Sequence, residues 1–109
     1  PNSNIFIENK MPNIENLMQN NANIVIGTDS LASNKNLSII DELKTIQQHC
    51  PKIQLKTLIK WATYNGAKAL NQLNYFGNIK IGTSPGLILI TNTNSNISLT
   101  PNSSIIRLF

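Results

Sequence analysis

The stretch Asn23–Gly27, NIVIG, limits most what this chain can fold into. Its three β-branched residues, bounded by polar ones, read as a strand buried on both faces, the kind found in parallel sheets. A strand of that kind needs apolar cover on each side and a hydrogen-bonded neighbour at each edge. The chain has 109 residues, enough for one small domain and not for two independent cores. The strand therefore asks for more sheet than a chain of this length readily provides.

The run leads directly into Gly27-Thr28-Asp29, in a chain with only five acidic residues. A strand ending in this way carries its carboxylate just past the C-terminal edge of the sheet. Parallel α/β proteins, barrels included, build their active sites at that edge. There Asp29 can ligate a metal or take a proton from a metal-bound water. Asp, Ser and Asn are also common turn formers, and the residue pattern alone leaves the catalytic and the turn-forming readings both open.

The remaining elements are short. Residues 4–8 form an apolar stretch too brief to assign. Pro12–Asn21 fits a helix with Ile14, Leu17 and Met18 on one face. Ser38–His49 is the first clear helix: Ser38 and Asp41 resemble a capping box, Ile39, Ile40, Leu43 and Ile46 make the apolar stripe, and Pro51 ends it. Leu55–Leu70 is predicted as a single longer helix with Leu55, Leu58, Ile59, Ala62, Gly66, Ala69 and Leu70 along one face. Beyond Asn74, residues 77–82 and 86–91 read as strands around a Gly-Thr-Ser-Pro-Gly turn, and the tail adds one or two more around Pro101-Asn102.

Charge and composition exclude several classes. The net charge is +4 and the sequence pI about 9.5, but Lys52, Lys56 and Lys60 recur every fourth residue, as on the solvated face of one helix. No arginine cluster or aromatic platform points to nucleic acid. A single cysteine, Cys50, excludes an intrachain disulfide and fits a reducing, cytoplasmic setting. No run approaches the roughly 20 apolar residues of a membrane span. His49 and Cys50 are the only residues of their types and cannot form the three-ligand set of a catalytic zinc. Ser30 and Ser33 have no base nearby in sequence, and Trp61 reads as a packing residue.

Three further stretches fall in an informative order. Pro1-Asn2-Ser3-Asn4, then IVIGTDSLASNKNLSIIDELK (24–44), then WATYNGAKAL (61–70) resemble the C-terminal part of the metal-dependent amidohydrolase superfamily. The similarity is greatest to its branch of chlorohydrolases and nucleobase aminohydrolases. That branch shows C-P-x-S-N, G-T-D-x-x-A-S-N and A-T-x-N-G-A-x-A-L in this order. Pro1, Ser3 and Asn4 match the first motif; Gly27, Thr28, Asp29, Ala32, Ser33 and Asn34 match the second; Ala62, Thr63, Asn65, Gly66, Ala67, Ala69 and Leu70 match the third. Pro85-Gly86-Leu87 departs from the Ala-Asp-Leu usual in the family.

The resemblance implies an α/β fold, the C-terminal portion of a (β/α)8 TIM barrel followed by short strands of a small β-sandwich. Residues 1–75 would hold the last barrel strand and its helices, and 76–109 the sandwich segment. It also implies that Asp29 is the metal-site carboxylate and proton acceptor, that Ser3, Asn4 and Ser30 lie at the substrate pocket, and that the cofactor is a divalent metal, zinc by preference. The implied activity is hydrolysis, foremost deamination, of a small heterocyclic amine. The family's histidine ligands and proton-shuttling glutamate have no counterpart in these residues. The chain is accordingly expected to be a fragment, inactive alone, whose partner is the missing N-terminal barrel portion or a second copy of itself. The competing expectation is a non-catalytic interaction domain that keeps part of the fold.

Overall fold

The computed structural model describes residues 1–109 throughout. Its best-determined element by sequence is the helix that Ser38 opens. Ser38 sits in extended backbone and its hydroxyl accepts a hydrogen bond from the Asp41 amide at 3.3 Å, satisfying one of the amides a helix start leaves free. Five helices and one hairpin follow the chain: α1 (Asn2–Glu8), α2 (Ile14–Gln19), α3 (Ile39–His49), α4 (Leu55–Ala62), α5 (Tyr64–Ala69), β1 (Ile88–Thr91) and β2 (Ser104–Arg107).

The core lies between α3 and α4. Ile40, Leu43 and Ile46 of α3 meet Leu55, Leu58 and Trp61 of α4, and Ile14, Ile53 and Leu99 close the cluster. Trp61 thus packs, as the sequence reading expects. The tail is fastened to this core by a reciprocal pair of bonds. Gln47 Nε2 donates to the Leu99 carbonyl at 2.9 Å while the Leu99 amide donates to Gln47 Oε1 at 3.0 Å. Lys44 Nζ reaches the Pro101 carbonyl at 3.1 Å. At Gly77 the chain crosses α5 so closely that a Cβ would stand 2.6 Å from that of Ala67, and its φ of +87° is one that side chains resist.

Four expectations need correction. Asn23–Thr28 forms no ladder and is not a strand. Its burial still alternates with period two: Ile24, Ile26 and Thr28 are partly covered, while Asn23, Val25 and Gly27 are exposed. One face is packed against the core and the other is bare, and no second strand pairs with its backbone edges.

The single helix over 55–70 is broken at Thr63 (φ −123°, ψ −80°). The Thr63 hydroxyl donates back to the Ile59 carbonyl at 2.7 Å, a bond that competes with regular helix geometry. The break rotates the following turn, so α5 buries Asn65 and Ala67 and exposes Ala69 and Leu70. The three lysines do not share one helix: α4 begins at Leu55, so Lys52 lies in the turn ahead of it, apart from Lys56 and Lys60. All three are exposed.

Residues 77–82 form bends and turns; the hairpin pairs 88–91 with 104–107 antiparallel, Leu89 opposite Ile106 and Ile90 opposite Ile105. Residues 2–8, unassigned from the sequence, are helical, and the helix expected within Pro12–Asn21 is present as α2, with Ile14 buried and Leu17 and Met18 exposed. The combined result is a small α/β unit with 15 of 109 residues buried and no helix long and apolar enough to cross a membrane.

Leu58 is fully buried between the two central helices. Leu58→Ala is expected to cost roughly 2–5 kcal/mol, read as a lowered urea midpoint; a midpoint within error of the parent would mean that α3 and α4 do not form the core.

Candidate active site

Asp29 ends the extended segment in a left-handed turn, with φ of 59°. Asp tolerates this conformation better than most residues because its short side chain bonds locally. The turn projects the carboxylate into solvent and starts a tight loop closed by the Ser33 amide on the Ser30 carbonyl at 3.1 Å. The Ser33 hydroxyl donates to Asp29 Oδ2 at 2.7 Å. It also lies 3.2 Å from the Ser30 carbonyl, but it has one proton, and the shorter, charge-assisted bond takes it. Asp29 Oδ1 carries no hydrogen bond and is open to a further partner.

The base of this loop is held from below. Asn34 is buried, and its Nδ2 donates one hydrogen to the Thr28 carbonyl and the other to Glu42 Oε1, both at 2.7 Å. Glu42 has no exposure. Its second oxygen accepts from the Asn2 amide at 2.9 Å, and the Pro1 nitrogen stands 2.8 Å from it. The Asn2 and Asn34 bonds do not depend on Pro1 being charged. Thr45 adds a hydroxyl bond to Asn2 Oδ1 at 2.6 Å. The first motif, the Asp29 loop and α3 are thereby joined through one carboxylate.

The expected site residues take different places. Asp29 and Ser30 are exposed on the loop, and Ser3 and Asn4 are part-exposed in the first turn of α1. A cleft of about 390 Å³ opens between that helix and the loop, lined by Asn2, Ile5, Phe6, Asn34, Lys35 and Asn36. None of Ser3, Asn4, Asp29 and Ser30 lines it. Glu42 was missed in the sequence, although the signal was there: it lies in the apolar stripe of α3, three residues after Ile39 and four before Ile46.

The donor chemistry at Asp29 fits one ligand position of an oxygen- and nitrogen-rich metal site. Nowhere do three or more His, Cys, Asp or Glu side chains come together to hold a metal ion. His49 is exposed at the end of α3, with its Nδ1 on the Thr45 carbonyl at 2.9 Å, and does not contribute. Within this chain Asp29 would hold a metal alone.

Comparison with known proteins gives the family. The amidohydrolase family profile matches residues 1–109. The chain belongs to the amidohydrolase family. Amidohydrolases are a TIM-barrel family, and they generally use a divalent metal. This amidohydrolase chain is 29% identical to a 5-methylthioadenosine/S-adenosylhomocysteine deaminase of Clostridium tetani over 121 residues, covering 95% of this chain and 28% of the relative. A protein of the same name from Thermococcus sibiricus is 38% identical over 97 residues, covering 83% and 22%. A 5'-deoxyadenosine deaminase of Methanobrevibacter smithii is 33% identical over 111 residues, covering 95% and 25%. The chain thus spans about a quarter of the length of these curated relatives. No solved structure matches it.

With one ligand available, the 109-residue chain is expected to retain well under one equivalent of zinc after dialysis, measured by atomic emission. Stoichiometric retention would show that a complete site forms within it.

Proposed function

We propose that this chain is the C-terminal part of a metal-dependent aminohydrolase that deaminates adenosine-type nucleosides. The observation that carries the reading is the presentation of Asp29, in a left-handed turn with one carboxylate oxygen held and one free, in a chain whose whole length matches the amidohydrolase profile. The relatives' names point to a substrate class, since 5-methylthioadenosine, S-adenosylhomocysteine and 5'-deoxyadenosine all carry an adenine base and an altered ribose 5' position.

In this reading the extended segment Asn23–Thr28 is the last strand of the barrel. Residues 1–75 complete the barrel and 76–109 join a small β-sandwich. The bare face at Val25 and the exposed apolar hairpin residues Leu89, Ile105 and Ile106 are covered by the N-terminal barrel portion. Ser3, Asn4 and Ser30 lie toward the substrate once that portion is in place.

Asp29 serves as one ligand of a divalent metal, taken here to be zinc, which when bound polarises water for attack. The other ligands come from residues outside this chain. The Asp29 carboxylate would also accept a proton from the water that adds to the amine-bearing carbon and return it to the departing amino group, so that the C–N bond breaks and ammonia leaves. The Ser33 hydroxyl on Oδ2 restrains the carboxylate, so that its free oxygen keeps one direction. Fixing a reacting group in this way lowers the entropic part of the barrier.

In the full-length protein, Asp29→Asn should lower kcat for methylthioadenosine by on the order of 10²–10⁴-fold, followed by the ultraviolet change from adenine to hypoxanthine. The melting temperature should stay close to the parent's. Undiminished turnover would remove Asp29 from the chemistry, and deamination undetectable in the parent would remove the substrate class.

A further inference from the structure

We infer that Asn34 and Glu42 form a buried relay that positions Asp29 for the reaction, an inference that rests on the Asp29 reading given above. Glu42 occupies a place that packing alone would give to Leu or Met. It lies on the inner face of α3 beside Leu43 and Ile46 and is fully excluded from solvent. A buried carboxylate is costly unless its oxygens are satisfied, and an apolar residue of similar size would serve the helix as well or better. The carboxylate therefore has a use other than stability, and its partners show what that use is.

Oε1 takes one hydrogen of the Asn34 amide, which leaves the other directed at the Thr28 carbonyl. Both Asn34 donors are then used, and the amide can be oriented in only one way. The Thr28 carbonyl belongs to the peptide unit that enters Asp29, so fixing it fixes the orientation from which the left-handed turn departs. Ser33, next to Asn34 in the chain, holds the other end by its bond to Asp29 Oδ2. Backbone and side chain of Asp29 are thus set by two adjacent residues, and Glu42 sets the more deeply buried of them. Oε2 bonds the Asn2 amide and carries the same restraint to the start of α1. Neither Asn34 nor Glu42 reaches the free oxygen of Asp29, so both are positioning residues.

The test uses the full-length protein with Asn34→Ala, Glu42→Gln and the double variant. Glu42→Gln keeps the shape and an acceptor for Asn34 but sets an amide donor against the Asn2 N–H, so it serves should Asn34→Ala fail to fold. Supporting groups of this kind are worth about 10–100-fold in activity or metal affinity. Each single variant is therefore expected to lose about that much kcat with KM little changed. The double variant should be no worse than the poorer single one, because the two residues act in series.

Two readouts separate this from a general loss of stability. Ile46→Val, a buried change on the same helix, should leave kcat unaltered while lowering the melting temperature. Amide hydrogen exchange in Glu42→Gln should quicken across residues 28–34 and stay unchanged across 43–47. Wild-type kcat in both single variants, multiplied losses in the double variant, or faster exchange throughout α3 would each overturn the relay. If Asp29→Asn remained active, the Asp29 reading itself would fail, an outcome distinguishable because it leaves the parent enzyme's loop intact.

Discussion

Glu42 sits among apolar neighbours on α3 with no contact to water, and a lone charge in such a place would be costly enough to unfold a chain this small. The charge is tolerated because Asn34 and the start of α1 supply its hydrogen bonds. The dependence is mutual. Without the carboxylate, the Asn34 amide has no reason to face the Thr28 carbonyl, and without Asn34 the loop that carries Asp29 loses its base. Two stretches that matched family motifs separately in the sequence, Pro1–Asn4 and Gly27–Asn34, are, in the structure, partners of one buried group.

That link also explains which parts of the fold were legible in the sequence. The α3 and α4 helices were, because their caps and apolar spacing are local: Ser38, Leu43, Ile46 and Leu58 act as their positions predict. The break at Thr63 was not, because the matched stretch Ala62–Leu70 continues a helical period through it, and the spacing carries no trace of the hydroxyl bond to the Ile59 carbonyl. The loss of strand character in Asn23–Thr28 has a different cause. Its pattern is that of a buried strand, but a strand exists only with a neighbour, and no other segment of the chain pairs with it. Of the site, the position of Asp29 was legible as an acid after an apolar run. Its left-handed backbone and the Ser33 bond were not, since both arise from how the loop closes. Glu42 was overlooked as an ordinary helix acid because the eye assigns charged residues to the outer face.

The burial pattern fits a chain that spans about a quarter of its relatives' length. Only 15 of 109 residues are buried, while Val25, Leu31, Leu89, Ile105, Ile106 and Phe109 are among the large apolar side chains left exposed. Those on the extended segment and on the hairpin lie on elements whose backbone edges lack partners, and in a sheet protein cover and pairing arrive together.

The unpaired segment has a consequence for the order of assembly. The α3–α4 core joins residues close in sequence, and contacts of that kind form early because little chain entropy is lost in closing them. Asn23–Thr28 is different. Its side-chain tether, Asn65 Nδ2 on the Ile24 carbonyl at 2.7 Å, already spans 41 residues, and its backbone ladder has no partner in the chain at all. A helical core would therefore be in place while the segment leading into Asp29 was still waiting for its neighbours. Such a core acts as a template: it holds Thr28 and Asn34 at a set spacing in advance, so that any strand pairing with this segment would complete a half-built edge and not have to create one.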